Sequence, residues 1–190
     1  MLIQTVAAAI IIGYLRGGKL TGLSNLTFRG LWLIIIAFSL QAVVSFTGTK
    51  QVHLGPTWFV PSLHILSYLF LIGFTLANLR WSGFKVVTLG ILLNFLVIAF
   101  NHGQMPVDAT FLDLQQKQML ITGLGTHGLL TAKSTLIWLA DRFFIWAPGW
   151  EGALINQVFS IGDVLIDLGV FLLIIDRMGR TGTYRYSSFN

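Results

Sequence analysis

The sequence predicts an all-α fold: a polytopic integral membrane helix bundle of about five transmembrane helices, with short interfacial or re-entrant helices on the outer side. Three observations carry this. The 190 residues are 55% hydrophobic and only 10% charged, whereas a soluble domain carries roughly 25% charged residues. So much apolar surface cannot be covered in water, and lipid is the solvent. The apolar residues also gather in five runs, at 2–15, 31–46, 58–77, 86–100 and 158–175, each approaching the ~20 residues that cross a bilayer. Finally, the basic residues sort by loop, as the positive-inside rule requires. Arg16, Lys19, Arg29, Arg80, Lys85, Arg177, Arg180 and Arg185 all fall on one side of a five-span arrangement. Lys50, Lys117, Lys133 and Arg142 lie on the other. This predicts a multi-pass protein with its N-terminus outside and its C-terminus in the cytoplasm.

The first run has no basic residues before it and several after it, the charge order of a retained span rather than of a signal peptide. Gly17 and Gly18 end it, and residues 20–28 read as a short interfacial segment. The second span carries Trp32 and Gln41. Gly48, Gly55 and Pro56 mark the turn that follows. Trp58 and Trp81 bracket the third span as interfacial anchors, and the fourth ends near Phe100. A long outer region, residues 101–156, comes next. Residues 108–119 are polar enough for a surface helix. Residues 120–130 hold Gly123, Gly125 and Gly128 and read as a poor, re-entrant helix, and 133–146 as a helix too short to span. The fifth span follows. Residues 1–180 thus form one transmembrane domain, and 181–190 a polar cytoplasmic tail. With no cysteine, thiolate metal sites and disulfides are excluded. The net charge of +5 is spread over loops instead of forming one stripe, which excludes nucleic acid as a partner.

The candidate site residues are polar groups within or beside these runs, where ionisable groups are costly and therefore informative. Asn156, Ser160, Asp163 and Asp167 recur at steps of four, three and four, one stripe of a helix. Asn94 and Asn101 are seven apart, with Gly90 continuing the face. His64, Tyr68, Thr75 and Asn78 share a face of the third span. At ~1.5 Å per residue, His64, Asn94 and Asp163 each lie roughly 9–10 Å below the outer ends of their helices. This common depth describes either an outward-facing polar pocket or an internal hydrogen-bonded network. Asp163 and Asp167 need partners or protons in such a place. Asp163 is expected either to donate a proton to Asn94 or Asn101 as a neutral acid, or to pair with Arg142, His64 or a bound cation. Asn101 and His102 read as the mouth of the pocket, and equally as a helix-ending turn before Gly103 and Pro106. Asp141 beside Arg142 suggests an ion pair towards Asp163 or His127, and equally a solvated face.

Arg16-Gly17-Gly18, Asn94, Asn101-x-Gly103-x-Met105-Pro106, Leu139-Ala140-Asp141 and Ser160-Ile161-Gly162-Asp163, in this order, resemble a bacterial multi-pass membrane family catalogued as domain of unknown function 5317. His102 stands where that pattern has a small residue. The resemblance implies a small protein of the bacterial inner membrane and supplies no activity.

Three function classes follow from the residues themselves. A pocket protein would bind or transport a small ligand or ion at Asp163, Asp167, Asn94, Asn101, His64, His102 and Asp141. An accessory subunit of a larger respiratory or photosynthetic complex, or a homo-oligomer, would suit the aromatic, apolar helices. A membrane enzyme on a lipid or isoprenoid substrate would use the carboxylates and histidine as acid and base, but no His-Glu-x-x-His, Gly-x-Ser-x-Gly or Asp-rich motif is present. His64 with His127 as haem ligands would be a fourth class, carried by two histidines on separate segments alone. Membrane lipid is the one partner that composition itself demands.

Overall fold

In lipid a chain must satisfy its own backbone groups, and a helix does so within one segment. A computed structural model describes residues 1–145 and 157–179 of the chain, and these are mostly helical. The helices are α1 (Leu2–Leu15), α2 (Leu31–Lys50), α3 (Phe59–Ala77), α4 (Ser82–Phe100), α5 (Leu114–Thr122) and α6 (Ile161–Gly179), with a 3-10 segment at Leu20–Asn25. Three of them, α2, α3 and α4, are long and apolar enough to cross a membrane. α1 has 14 residues. α6 has the length but carries Asp163, Asp167, Asp176 and Arg177.

The helices pack as a series: α2 on α3, α3 on α4, α4 on α6, and α6 on α1. Ala37, Leu71, Val87 and Ile91 form the central core, with Tyr68, Ile166 and Val170 against them. Ala9, Ile174 and Met178 join α1 to α6. Phe74, Phe84 and Leu173 close the end that holds the α3–α4 turn. α2 leaves Trp32, Ile35, Phe38 and Phe46 exposed, an apolar surface compatible with a membrane-spanning helix.

The tightest seam lies between α4 and α6. Gly83 and Gly90 on α4 are seven apart, as are Gly162 and Gly169 on α6, and the pairs meet in antiparallel order. A Cβ on Gly90 would lie 2.5 Å from the Gly162 carbonyl oxygen, and one on Gly169 would lie 2.6 Å from the Gly83 carbonyl oxygen. A Cβ on Gly162 would collide with the Asn94 side chain. Backbones approach this closely only where small residues line both helices. α1 and α6, in contrast, run parallel. Thr5 meets Asp167 near their beginnings, and a Cβ on Gly13 would strike the Met178 sulfur near their ends.

The outer region departs from a purely helical reading. β1 (Met105–Val107) pairs in parallel with β2 (His127–Leu129), and β3 (Phe143–Ile145) pairs antiparallel with β4 (Gln157–Phe159). The expected surface helix exists but is displaced to Leu114–Thr122. Asp113 starts it by a capping box with Gln116, and Gly123 ends it in the left-handed conformation. Of residues 120–130, the first three complete this helix, and β2 forms at His127–Leu129. The helix expected at 133–146 is not formed over its described residues. One 3-10 turn, Ile137–Leu139, precedes the extended β3. Backbone pairing to β4, and of Asp141 to Val107, outweighs the helix propensity of this stretch. Asn156 of the predicted polar stripe lies outside the described residues, and Ser160 precedes the first turn of α6 instead of lying within it.

The glycine seam generates a direct test. Gly90→Val and Gly162→Val should each destabilise the protein by more than ~3 kcal/mol, because the Gly162 backbone fills the space at Gly90 and the hydrogen-bonded Asn94 side chain, with the Gly90 carbonyl behind it, fills the space at Gly162. Gly179→Ala, which meets nothing within 4 Å, should change little. Unfolding of the purified protein in mild detergent measures all three.

Candidate polar site beneath the outer region

Helix α6 needs an acceptor for its first free N–H groups, and Ser160 supplies it. The Asp163 N–H donates to Ser160 Oγ at 3.0 Å, and the Ser160 N–H donates to Asp163 Oδ2 at 3.0 Å. This is a reciprocal capping box with aspartate in the usual place of glutamate. The box is not closed on itself. Ser160 Oγ donates to Asn94 Oδ1 at 2.9 Å, and Asn94 Nδ2 donates to Asp163 Oδ1 at 2.8 Å. Asn94 and Ser160 are buried. Both carboxyl oxygens of Asp163 therefore accept N–H donors, and its polar partner from another helix is Asn94. Asn94 is the expected partner, but the direction is the reverse of the expected one: the Asn94 amide donates and the Asp163 carboxyl accepts. Asn101, His64 and Arg142 are engaged elsewhere.

Above this network α3 presents His64 and Tyr68. Buried His64 has Nδ1 at 2.7 Å from the Gly103 carbonyl oxygen, and its ring stands edge-on to Tyr68 with centroids 5.4 Å apart. Tyr68 lies against the Asn94 side chain, within electrostatic reach of both Asp163 and Asp141. Asp141 comes from the outer region, where its backbone is fixed twice. Its N–H donates to the Pro106 carbonyl at 3.0 Å, and its carbonyl accepts from the Asp108 N–H at 2.8 Å. The residue is only 6% exposed. Oδ2 lies 3.4 Å from His127 Nε2, the pairing towards His127 that the sequence left open. Oδ1 is buried and has no hydrogen-bond partner among the described residues. Burial pushes the Asp141 carboxyl above the usual carboxylate range. The His127 hydrogen bond pulls it back down, and the Asp163 charge pushes it further up. Arg142, its neighbour, stacks instead over Trp138, with Cζ 4.7 Å from the ring centre.

The remaining candidates separate. Asn101 clamps the outer region: Oδ1 accepts the Thr135 N–H and Nδ2 donates to the Thr135 carbonyl, each at 2.9 Å, and Nδ2 also donates to the Val97 carbonyl. His102 takes a left-handed backbone at φ 57° and leaves its side chain exposed. Asp167 is buried but turns to α1, accepting from Thr5 Oγ1 at 2.9 Å. The two aspartates of one predicted stripe thus serve different neighbours. Sequence reasoning did not find Thr5 as a partner. It also missed the capping role of Ser160, although Ser160-x-x-Asp163 has the spacing of a capping box.

The family model described as a family of unknown function (DUF5317) matches residues 25–175, and the chain belongs to that family. An uncharacterized protein of Thermotoga maritima is 28% identical over 175 residues, covering 92% of this chain and 90% of that protein. No solved structure matches.

The donor–acceptor order of the network makes a double substitution informative. Asp163→Asn offers one acceptor to two N–H donors and should cost ~1–3 kcal/mol. Asn94→Asp should also destabilise, by facing one carboxylate with another. Combined, the two changes exchange the roles and restore the pattern. The carboxylate introduced at position 94 accepts from Ser160 Oγ and from the amide introduced at position 163, and the oxygen of that amide accepts the Ser160 N–H. Denaturant unfolding in detergent should show the double variant recovering more than half of the summed loss.

Proposed function

We propose that this member of the family is a five-span inner-membrane protein, N-terminus outside and C-terminus cytoplasmic, whose outer-side polar site binds a small cation. Parallel packing of α1 with α6 supports the odd number of crossings. Two helices on either side of three antiparallel spans share a direction when all five cross. The charges of α6 agree with this. Asp163 stands in its first turn and Asp176 and Arg177 near its last, which leaves Asp167 as the interior charge, hydrogen-bonded to Thr5. α1, at 14 residues, reaches ~21 Å. Arg16 and Lys19 extend it by anchoring to headgroups.

One observation carries the binding reading: the buried Oδ1 of Asp141, without a partner among the described residues. A buried carboxylate oxygen without a donor loses its solvation and gains nothing in return. A cation or a protonated amine restores that loss. Tyr68, Asp163 and His127 surround the position with negative or polarisable groups, and His64 and Asn94 are held rigidly by their own hydrogen bonds. Rigid support of this kind is what a binding site requires. Asp163, Asn94 and His64 shape the floor of this site. Asn101 holds its lid in place through Thr135. Entry is from the outer side, beside half-exposed His127.

Two outcomes test this reading. A reporter enzyme fused after Asn190 should be active in its cytoplasmic form and silent in its periplasmic form; the opposite result removes the five-span arrangement. For the site, the purified protein should gain thermal stability with potassium, magnesium or methylammonium ions, and Asp141→Asn should abolish that gain. Without a ligand, the raised Asp141 value means that folding holds a proton. The associated stability is present below the ordinary carboxylate pKa of ~4 and is lost as pH rises through the folded value. Asp141→Asn should flatten this slope and stabilise the protein at neutral pH. A variant that keeps both the slope and the cation response would overturn the assignment.

A further inference from the structure

The opposite end of the bundle has its own unmet donors. Trp81 sits in the α3–α4 turn and precedes the first residue of α4. Its Nε1 is buried and has no hydrogen-bond partner among the described residues, and the same holds for Nε of Arg177 in the last turn of α6. Both are donors, so both wait for an acceptor. Two guanidiniums share the Trp81 ring. Cζ of Arg80 lies 4.9 Å from its centre, and Cζ of Arg177 lies 4.7 Å from it. Arg80 is fixed from behind, because its Nη2 donates to the carbonyl oxygen and to Oγ1 of Thr27. α4 starts without a side-chain cap and without an acidic residue in its first turn, so the positive end of its dipole faces the same place.

The charge balance here is one-sided. Arg16, Lys19, Arg29, Arg80, Lys85 and Arg177 lie at this end, and among the described residues the carboxylate here is Asp176. Two cations held on one ring repel each other, and an indole N–H buried beside them costs free energy until it is bonded. One ligand relieves all of this: an oxyanion with several acceptor atoms and a negative charge. Arginine forks match the oxygens of a phosphate in particular.

We propose that Trp81 Nε1, Arg177 Nε and the Arg80 guanidinium form a binding site for a phosphate group. Its two sources are the headgroup of an anionic membrane lipid and free phosphate. A lipid would lay its acyl chains along the exposed apolar helix surfaces while its phosphate takes the three donors. The site is independent of the Asp141 cluster, which lies at the other end of α4 and α6.

The test uses the full chain in maltoside micelles, which contain no phosphate. Phosphatidylglycerol, diacylglycerol and inorganic phosphate are titrated separately. Native mass spectrometry reads lipid retention, and thermal unfolding reads the response to each addition. Phosphatidylglycerol should be retained and should stabilise the protein, and diacylglycerol should do neither. A response to inorganic phosphate at millimolar concentration would assign the site to free phosphate, and no such response would assign it to lipid. Trp81→Phe keeps the ring and both cation contacts but deletes the N–H. It should weaken phosphatidylglycerol binding about tenfold, the effect of losing one hydrogen bond to a charged group. Arg177→Gln should weaken it further, and Arg80→Gln gives an independent reading if Trp81→Phe fails to fold. Equal handling of phosphatidylglycerol and diacylglycerol with no response to phosphate would overturn the proposal. So would wild-type binding in Trp81→Phe and Arg177→Gln together.

Discussion

The close approach of α4 and α6 is the constraint on which the rest of the molecule depends. Between helices in lipid there is little hydrophobic gain, so association rests on packing and on interhelical hydrogen bonds. The glycine pairs Gly83–Gly169 and Gly90–Gly162 supply the packing. They also decide where the hydrogen bonds can form. Once Gly162 lies against Asn94, the amide reaches both Ser160 and Asp163, and the start of α6 is fixed in depth and rotation. That rotation turns Asp167 towards α1 and sets Arg177 beside Trp81. A wider spacing would break the Asn94 network before it disturbed any apolar contact.

Two asparagines give the ends of the helices a common solution. Asn78 follows α3 and Asn101 follows α4, at opposite ends of the bundle. Each accepts the N–H and donates to the carbonyl of one passing residue, Arg29 for Asn78 and Thr135 for Asn101. Each also donates to the carbonyl four residues back, Phe74 and Val97 respectively. One side chain thus satisfies an orphan carbonyl of its own helix and docks a connecting segment as a strand neighbour would. The outer region is held in this way at Thr135, by Gln104 donating to the Gly123 carbonyl, and by Thr47 Oγ1 donating to the Leu124 carbonyl at 2.7 Å.

How much of this was legible follows from what lipid does to a sequence. Apolar runs mark spans because the solvent itself is apolar, and the first run was read with both its ends correct. The same fact erases amphipathic periodicity, so the buried face of α2 or α3 had to be inferred from glycines and polar residues alone. His64 and Asn94 are buried and Asp163 half-buried, since a polar group among apolar helices has few places to go. Asp167 is buried as well, but its partner Thr5 is 162 residues away in sequence and carries no signal of its own. The outer region was least legible. Its strands have three residues each, and their conformation is set by partners distant in the chain. The stretch 133–145 was therefore read by its local pattern and not by the pairing that prevails.

The parallel contact of α1 with α6 has a meaning for synthesis. α1 meets α6 only after the residues between them have been made. At ~5–20 residues per second, Thr5 waits for Asp167 on the order of ten seconds or more. α1 spends that time as a lone apolar helix, a task suited to a segment without a single charged side chain between Leu2 and Leu15. α6 has the opposite history. It carries the carboxylates into the bundle last, when Asn94 and Thr5 already stand ready, so its polar groups meet partners on arrival instead of crossing lipid alone. Asp163 and Asp167 are thereby made after their donors Asn94 and Thr5.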